Sequence, residues 1–322
     1  MESNIRSNSA ARRAQTDVLE KAMHVRAISR FLLPLVMVLP AFSTETDKLL
    51  LIAALNGRAD RVESLLADGA YVNTRSPNGD TPLLFAAAKG GIETVQMLLA
   101  NQADVNLQNK SRVNALMAAA DRGHVAVLEA LLSKRAKVNA ASKHGSTALM
   151  MAAANGHDDA VRALLRDGAR VDEKRLDGMT GLLLSAEGGH TDTVEILLTH
   201  RANARVRNAR RVTALMFAVW GGHKATAEAL VAAGAKLNAR ASTGKTALMD
   251  AVWGGHPELV SLLLASGADP TVEDRHGRTA LMLANICVLT NLLAYWEGVG
   301  VAAPSPCVQR KRLMAVKYPG RV

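Results

Sequence analysis

Eleven residues from Thr213 to His223, TALMFAVWGGH, recur from Thr246 to His256 as TALMDAVWGGH, 33 positions on and with one change. The period extends well beyond that pair. Steps of 33 from Thr246 reach Thr279 in one direction and Thr213, Thr180, Thr147, Asn114 and Thr81 in the other. His124, His157, His190, His223 and His256 keep the same interval. So do Leu pairs starting at Leu65, Leu98, Leu131, Leu164, Leu197 and Leu263, with Leu230-Val231 between the last two. A fixed period of this length is the signature of stacked units, each touching only its neighbours.

One unit, Ser142 to Lys174, explains its own residues. Lys143-His144-Gly145-Ser146 reads as a polar turn. Thr147 is a helix N-cap, its hydroxyl placed to accept from an orphan backbone amide, and Asn114 serves equally well in its unit. Ala148 to Ala154 is a short, apolar and mostly unbranched helix, ended at Asn155-Gly156. Asp158 to Arg166 is a second helix with Val161, Leu164 and Leu165 on one stripe and charges opposite. Gly168 stands where a left-handed C-cap is needed. Such a unit cannot bury its own apolar face, but stacked copies can, and the paired Ala residues allow close approach.

The pattern T-A-L-M-x-A, then G-H, a Leu pair and G-A-x-V-N closely resembles the ankyrin repeat, over roughly three quarters of the chain. The resemblance is to exported bacterial ankyrin-repeat proteins in particular, given the N-terminus described below. It implies an all-α solenoid of helix-turn-helix units joined by hairpin-like loops. The family's T-P-L-H-x-A keeps its proline only at Pro82, with Ala or Gly181 elsewhere, and its histidine there is Met or Leu. The loop glycine survives at Gly69, Gly168, Gly234 and Gly267 but is Gln102, Arg135 and Arg201 in other units. A non-glycine residue held left-handed costs about 1–2 kcal/mol, so these junctions are expected to be weak points or to use another turn.

Apolar residues are 49% of the chain and aromatics only 3%, which suits an Ala- and Leu-rich solenoid. The net charge is +10, but residues 44–284 hold 28 Lys/Arg against 25 acids. The flanks carry most of the excess. Residues 1–43 read as an N-terminal extension with a signal peptide. Met23 to Arg30 is basic, Phe31 to Leu39 (FLLPLVMVL) is apolar, and Ala41-Phe42-Ser43 offers small residues to a signal peptidase. On that reading Met23 is a natural start, and the run is too short for a comfortable membrane span. The alternative is a hydrophobic cap helix or an uncleaved anchor. Residues 44–284 comprise about seven full units and the start of an eighth, and residues 285–322 read as a degenerate cap with a basic, flexible tail. Cys287 and Cys307 lie in that tail, without metal-ligand spacing, and could pair only if the tail brings them together.

No catalytic, cofactor or metal site is expected. Five histidines repeated at a helix-packing pitch of about 8–10 Å cannot converge on one metal at about 2 Å. Their expected role is to bond neighbouring loops. Acids such as Asp121, Glu187 and Asp250 are scattered, and neither a nucleophile elbow nor a phosphate-cradling glycine loop is present.

The expected function is protein binding on a concave surface, as a scaffold, anchor or inhibitor. The resemblance places contacts at hairpin tips and at the end of each first helix. The last two first-helix positions read Ala88-Lys89, Asp121-Arg122, Ala154-Asn155, Glu187-Gly188, Trp220-Gly221 and Trp253-Gly254. Trp220 and Trp253 are the expected anchors, with Lys89, Asp121, Arg122, Asn155 and Glu187 along the same row. Arg210, Arg211 and Lys245 are expected contacts at the tips, which also carry Asp80, Arg112, His144, Asp177 and Arg278. A packing role for the tryptophans competes, because Val219 and Val252 replace Ala in just these repeats. The expected partner is another protein, met by a monomer in the periplasm or outside the cell, with no stable membrane insertion after signal cleavage. Membrane anchoring by an uncleaved N-terminus, and nucleic-acid or anionic-surface binding through the basic flanks, are the alternatives.

Overall fold

The computed structural model describes residues 44–285. The N-terminal segment expected to be a signal peptide, both cysteines and nearly all of the basic tail lie outside the described residues. The helices come in pairs: α1 (Glu45–Leu55) with α2 (Ala59–Ala67), α3 (Pro82–Lys89) with α4 (Ile92–Ala100), and α5 (Ala115–Asp121) with α6 (Val125–Ser133). There follow α7 (Ala148–Ala154) with α8 (Asp158–Arg166), α9 (Gly181–Gly188) with α10 (Thr191–Thr199), α11 (Ala214–Gly221) with α12 (Lys224–Ala232), and α13 (Ala247–Gly254) with α14 (Pro257–Ala265). Residues 280–285 open a further helix.

Each pair packs on the next, first helix on first helix and second on second. The substantial helix contacts run within a pair or between adjacent pairs, so the fold is an all-α repeat solenoid. Its core is the sequence period made solid. Ala86, Ala87, Ala119, Ala120, Ala152, Ala153 and Ala218 are fully buried between first helices. Leu98, Leu131, Leu164, Leu197, Leu230 and Leu263 are fully buried beneath the second helices.

The caps act as their residue types require. Thr81, Thr147, Thr180, Thr213 and Thr246 each accept a hydrogen bond from the backbone N–H three residues on, at 3.2–3.4 Å. Asn114 does the same for Met117 at 3.0 Å. Its side-chain Nδ2 is buried with no partner, a disadvantage that the threonine caps do not carry.

The histidines explain the glycines before them. His124 Nε2 lies 3.2 Å from the Ala88 carbonyl, His157 Nε2 3.1 Å from that of Asp121, and His190 Nε2 3.1 Å from that of Ala154. Each ring reaches back over a left-handed glycine at the end of the preceding repeat's first helix, Gly90, Gly123 and Gly156 in turn. A Cβ on Gly123, which has φ +69°, would meet the His157 ring at 2.7 Å. Glycine is needed there both for the left-handed turn and for the close approach.

The loop residues Gln102, Arg135 and Arg201 take the left-handed conformation themselves, at φ 62°, 60° and 66°. The chain holds the same turn without glycine instead of changing it.

Candidate functional site

Between the loop of the α11 repeat and that of the α13 repeat lies a groove of about 360 Å³. The floor comes from apolar first-helix residues, Met216, Phe217, Trp220 and Trp253. The rim comes from hairpin loops, including Asn208, Arg210, Val212, Thr243 and Lys245. Short helices place these side chains. Trp220 and Trp253 occupy the last turns of α11 and α13, where the glycine caps Gly222 and Gly255 turn the chain away at φ 77° and 68°.

The two tryptophans differ. Trp220 is 47% exposed. Trp253 is half-buried and packs against the core, and its ring carries the Lys245 ammonium 5.1 Å from its centroid. The same ammonium lies 3.9 Å from the Asp250 carboxylate. That carboxylate makes no hydrogen bond among the described residues, although the side chain is only 22% exposed. Burial pushes the carboxyl up to about 6, and Lys245 pulls it partly back. Phe85, Met151, Leu184 and Phe217 fill the equivalent position in other repeats. Read as one scattered acid, Asp250 carries no message in the sequence. Its signal lies in the comparison of repeats, because Phe217 against Asp250 is the single difference between the doubled stretches.

The remaining sequence-expected residues divide into groups. Arg210 joins Trp220, Trp253 and Lys245 around the groove. Arg211 is exposed on the same tip but does not line it. Asp121, Arg122 and Asn155 form a separate cluster at the ends of α5 and α7. Arg122 pairs with Asp121 at 3.7 Å, and Asn155 Nδ2 donates to the Asp121 carbonyl and carboxylate at 3.2 Å. Lys89 is exposed at the end of α3, and Glu187 is half-buried at the end of α9. Neither reaches the groove. Among the described residues no group of three or more His, Cys, Asp or Glu could hold a metal, and no helix is long and apolar enough to cross a membrane.

The family model described as ankyrin repeats (3 copies) matches the chain in overlapping stretches, residues 27–109, 49–142, 84–175, 149–241 and 182–274. The chain belongs to the ankyrin-repeat family. The first match begins at residue 27 and so takes in the apolar run before the first described helix. A comparison with curated proteins finds no match. Ankyrin repeats are in general protein-interaction modules and non-enzymatic scaffolds.

Proposed function

We propose that this ankyrin array binds another protein, with the groove between Trp220 and Trp253 as its anchor site. The observation that carries the reading is Trp220, a large ring left 47% exposed over an apolar groove, while Val219 beside it is fully buried. Exposed tryptophan and arginine are the residues that dominate interface energetics, and Arg210 stands on the rim. Trp253, braced by Lys245, forms the wall against which an inserted side chain would pack. The array acts as a monomeric scaffold, anchor or inhibitor by rigid display of this surface.

Replacing Trp220 by the photoreactive p-benzoylphenylalanine tests the site before the partner is identified. The control places the same group at Glu228, exposed on α12. Irradiation in the source cells is expected to give a discrete adduct from position 220 and none from 228. Equal labelling at both positions, or none at 220, would remove the groove from consideration.

We propose further that the chain is exported, on the strength of the basic segment, the apolar run and the Ala41-Phe42-Ser43 end. The family match from residue 27 favours the competing cap-helix reading. N-terminal sequencing of protein from the source cells decides between them: export requires a chain beginning near Thr44, and a chain that retains residues 27–43 in the cytosol contradicts it.

A further inference from the structure

The seven hairpin tips are short loops closed by backbone hydrogen bonds of 2.8–3.1 Å, such as Asn109 N–H to the Val113 carbonyl and Asn208 N–H to that of Val212. Each tip is also tied to the next by one backbone bond. Lys110 N–H donates to Asn78, Lys143 to Ser111, Leu176 to His144, Ala209 to Asp177, Ser242 to Arg210 and Arg275 to Thr243, at 2.9–3.2 Å. The tips therefore form a regular row with the pitch of the stacked helices, about 8–10 Å.

Charge is segregated onto this row. The tips, residues 76–80 and their six counterparts, hold nine Lys/Arg and three Asp, whereas the rest of residues 44–284 holds 19 Lys/Arg and 22 acids. All three tip carboxylates are engaged. Asp80 accepts from Asn109 at 2.7 Å, Asp177 is held by Arg175, and Asp274 accepts from Arg278 at 2.7 Å. Lys110, Arg112, Lys143, Arg211 and Arg275 are exposed with no ion pair among the described residues.

Two of these cations sit where the backbone disfavours them. Arg112 and Arg211 are left-handed at φ 59°, a position that Gly79, Gly145, Gly178, Gly244 and Gly277 fill in the other tips. Strain of this kind clusters at functional positions. The fourth tip interrupts the charge with an apolar residue, Leu176, 79% exposed.

We propose that the row of tips is a docking track for an acidic segment of the partner in polyproline II conformation, with carboxylates at every third residue and one apolar residue over Leu176. Such a chain turns once every three residues and rises about 3.1 Å per residue. Residues three apart then share one face at about 9.3 Å, which matches the pitch of the tips. A β-strand, with a period of two, would turn alternate carboxylates away. A single-stranded nucleic acid needs stacking platforms as well as cations. The row carries no Trp, Tyr or Phe, and its exposed rings, His144 and His276, stand on the third and the seventh tips with none between; Trp220 lies in the groove behind it, and Trp253 is already covered by Lys245. This inference rests on the protein-binding reading above and adds the chemistry of the partner.

The probe is a fluorescein-labelled 18-residue peptide of six Glu-Pro-Pro units, with Leu in place of Glu in the third or the fourth unit, one peptide for each chain direction. The control has the same composition with its acids clustered at one end. Oligo-dT of 18 nucleotides is the nucleic-acid arm. Anisotropy titrations at about 150 mM salt are expected to show one of the spaced peptides binding at least tenfold more tightly than the control and than the oligo-dT. R211G is expected to weaken that peptide at least threefold while raising the melting temperature, because glycine relieves the left-handed turn. R211K is expected to retain binding. Equal binding of spaced and clustered peptides, no binding of either, or tighter binding of the oligo-dT would overturn the track. The photo-crosslink at position 220 would still decide the groove on its own.

Discussion

Lys245 holds its ammonium 5.1 Å from the centre of the Trp253 ring and 3.9 Å from the Asp250 carboxylate. One cation thus covers an aromatic face and balances a poorly solvated anion. Its removal should be felt at both. K245A is expected to expose Trp253 to iodide quenching, measured in a W220F/W296F background that leaves Trp253 as the one tryptophan; Trp296 lies outside the described residues. It should also raise the Asp250 pKa further, which an NMR titration of the carboxyl would detect.

Asp250 makes the array less stable at neutral pH than it would be with a neutral side chain. Its folded pKa of about 6 lies above the ordinary aspartate value of 3.8. The folded state therefore binds the proton more tightly, and stability falls as pH rises from about 4 to 6, staying low above that. At about 1.4 kcal/mol per unit, discounted for partial exposure, the effect is on the order of 1–2 kcal/mol. D250N is expected to gain that amount at pH 7.5 in urea melts, and the gain should vanish near pH 4. A pH-independent difference would refute the assignment.

Asp274 works in the opposite sense. Burial pushes its carboxyl up, but hydrogen bonds from the Arg278 side chain and from the backbone N–H groups of Arg278 and His276 outweigh this and hold it at about 2. A carboxylate with a depressed pKa adds stability above its unfolded pKa, and that stability disappears as pH falls from about 4 to 2. R278A is expected to lose on the order of 1–2 kcal/mol at pH 7, and much less at pH 2.

Asn114 and Arg135 are positions where the chain departs from its own consensus. N114T keeps the cap and removes the orphaned Nδ2, with an expected gain of about 1 kcal/mol. R135G relieves a left-handed residue at φ 60°, with a similar gain. Both sites lie in one repeat, at the start of α5 and just beyond the end of α6, so the double variant measures any coupling between them. A loss of stability in either single variant would show that the side chain makes a contact worth more than the strain.

The 33-residue period makes the fold legible. Helix caps, breakers and Leu pairs are local rules, and in a solenoid every long-range contact is a copy of the contact to the next unit. The left-handed loops at Gln102, Arg135 and Arg201 can be located for the same reason. The groove is only half legible. Trp220 and Trp253 sit at one repeat position and look alike in sequence, yet one is exposed and the other braced, because the difference arises from Lys245 reaching across from the hairpin. Asp250 and Leu176 are invisible as single residues and stand out only against the same column of the other repeats. The basic row at the tips is hidden when charge is summed along the chain, where the acids of the helices and other loops cancel it.

The central claim is that Trp220 serves binding and not folding. The direct measurement is the dissociation constant of the partner captured at position 220 for wild type and W220A, with urea unfolding of both proteins alongside. The account predicts at least about 30-fold weaker binding, a hot-spot loss of about 2 kcal/mol, with stability changed by no more than about 0.5 kcal/mol. A destabilisation of about 3–5 kcal/mol, the range for a core aromatic, together with unchanged affinity of the folded fraction, would contradict it.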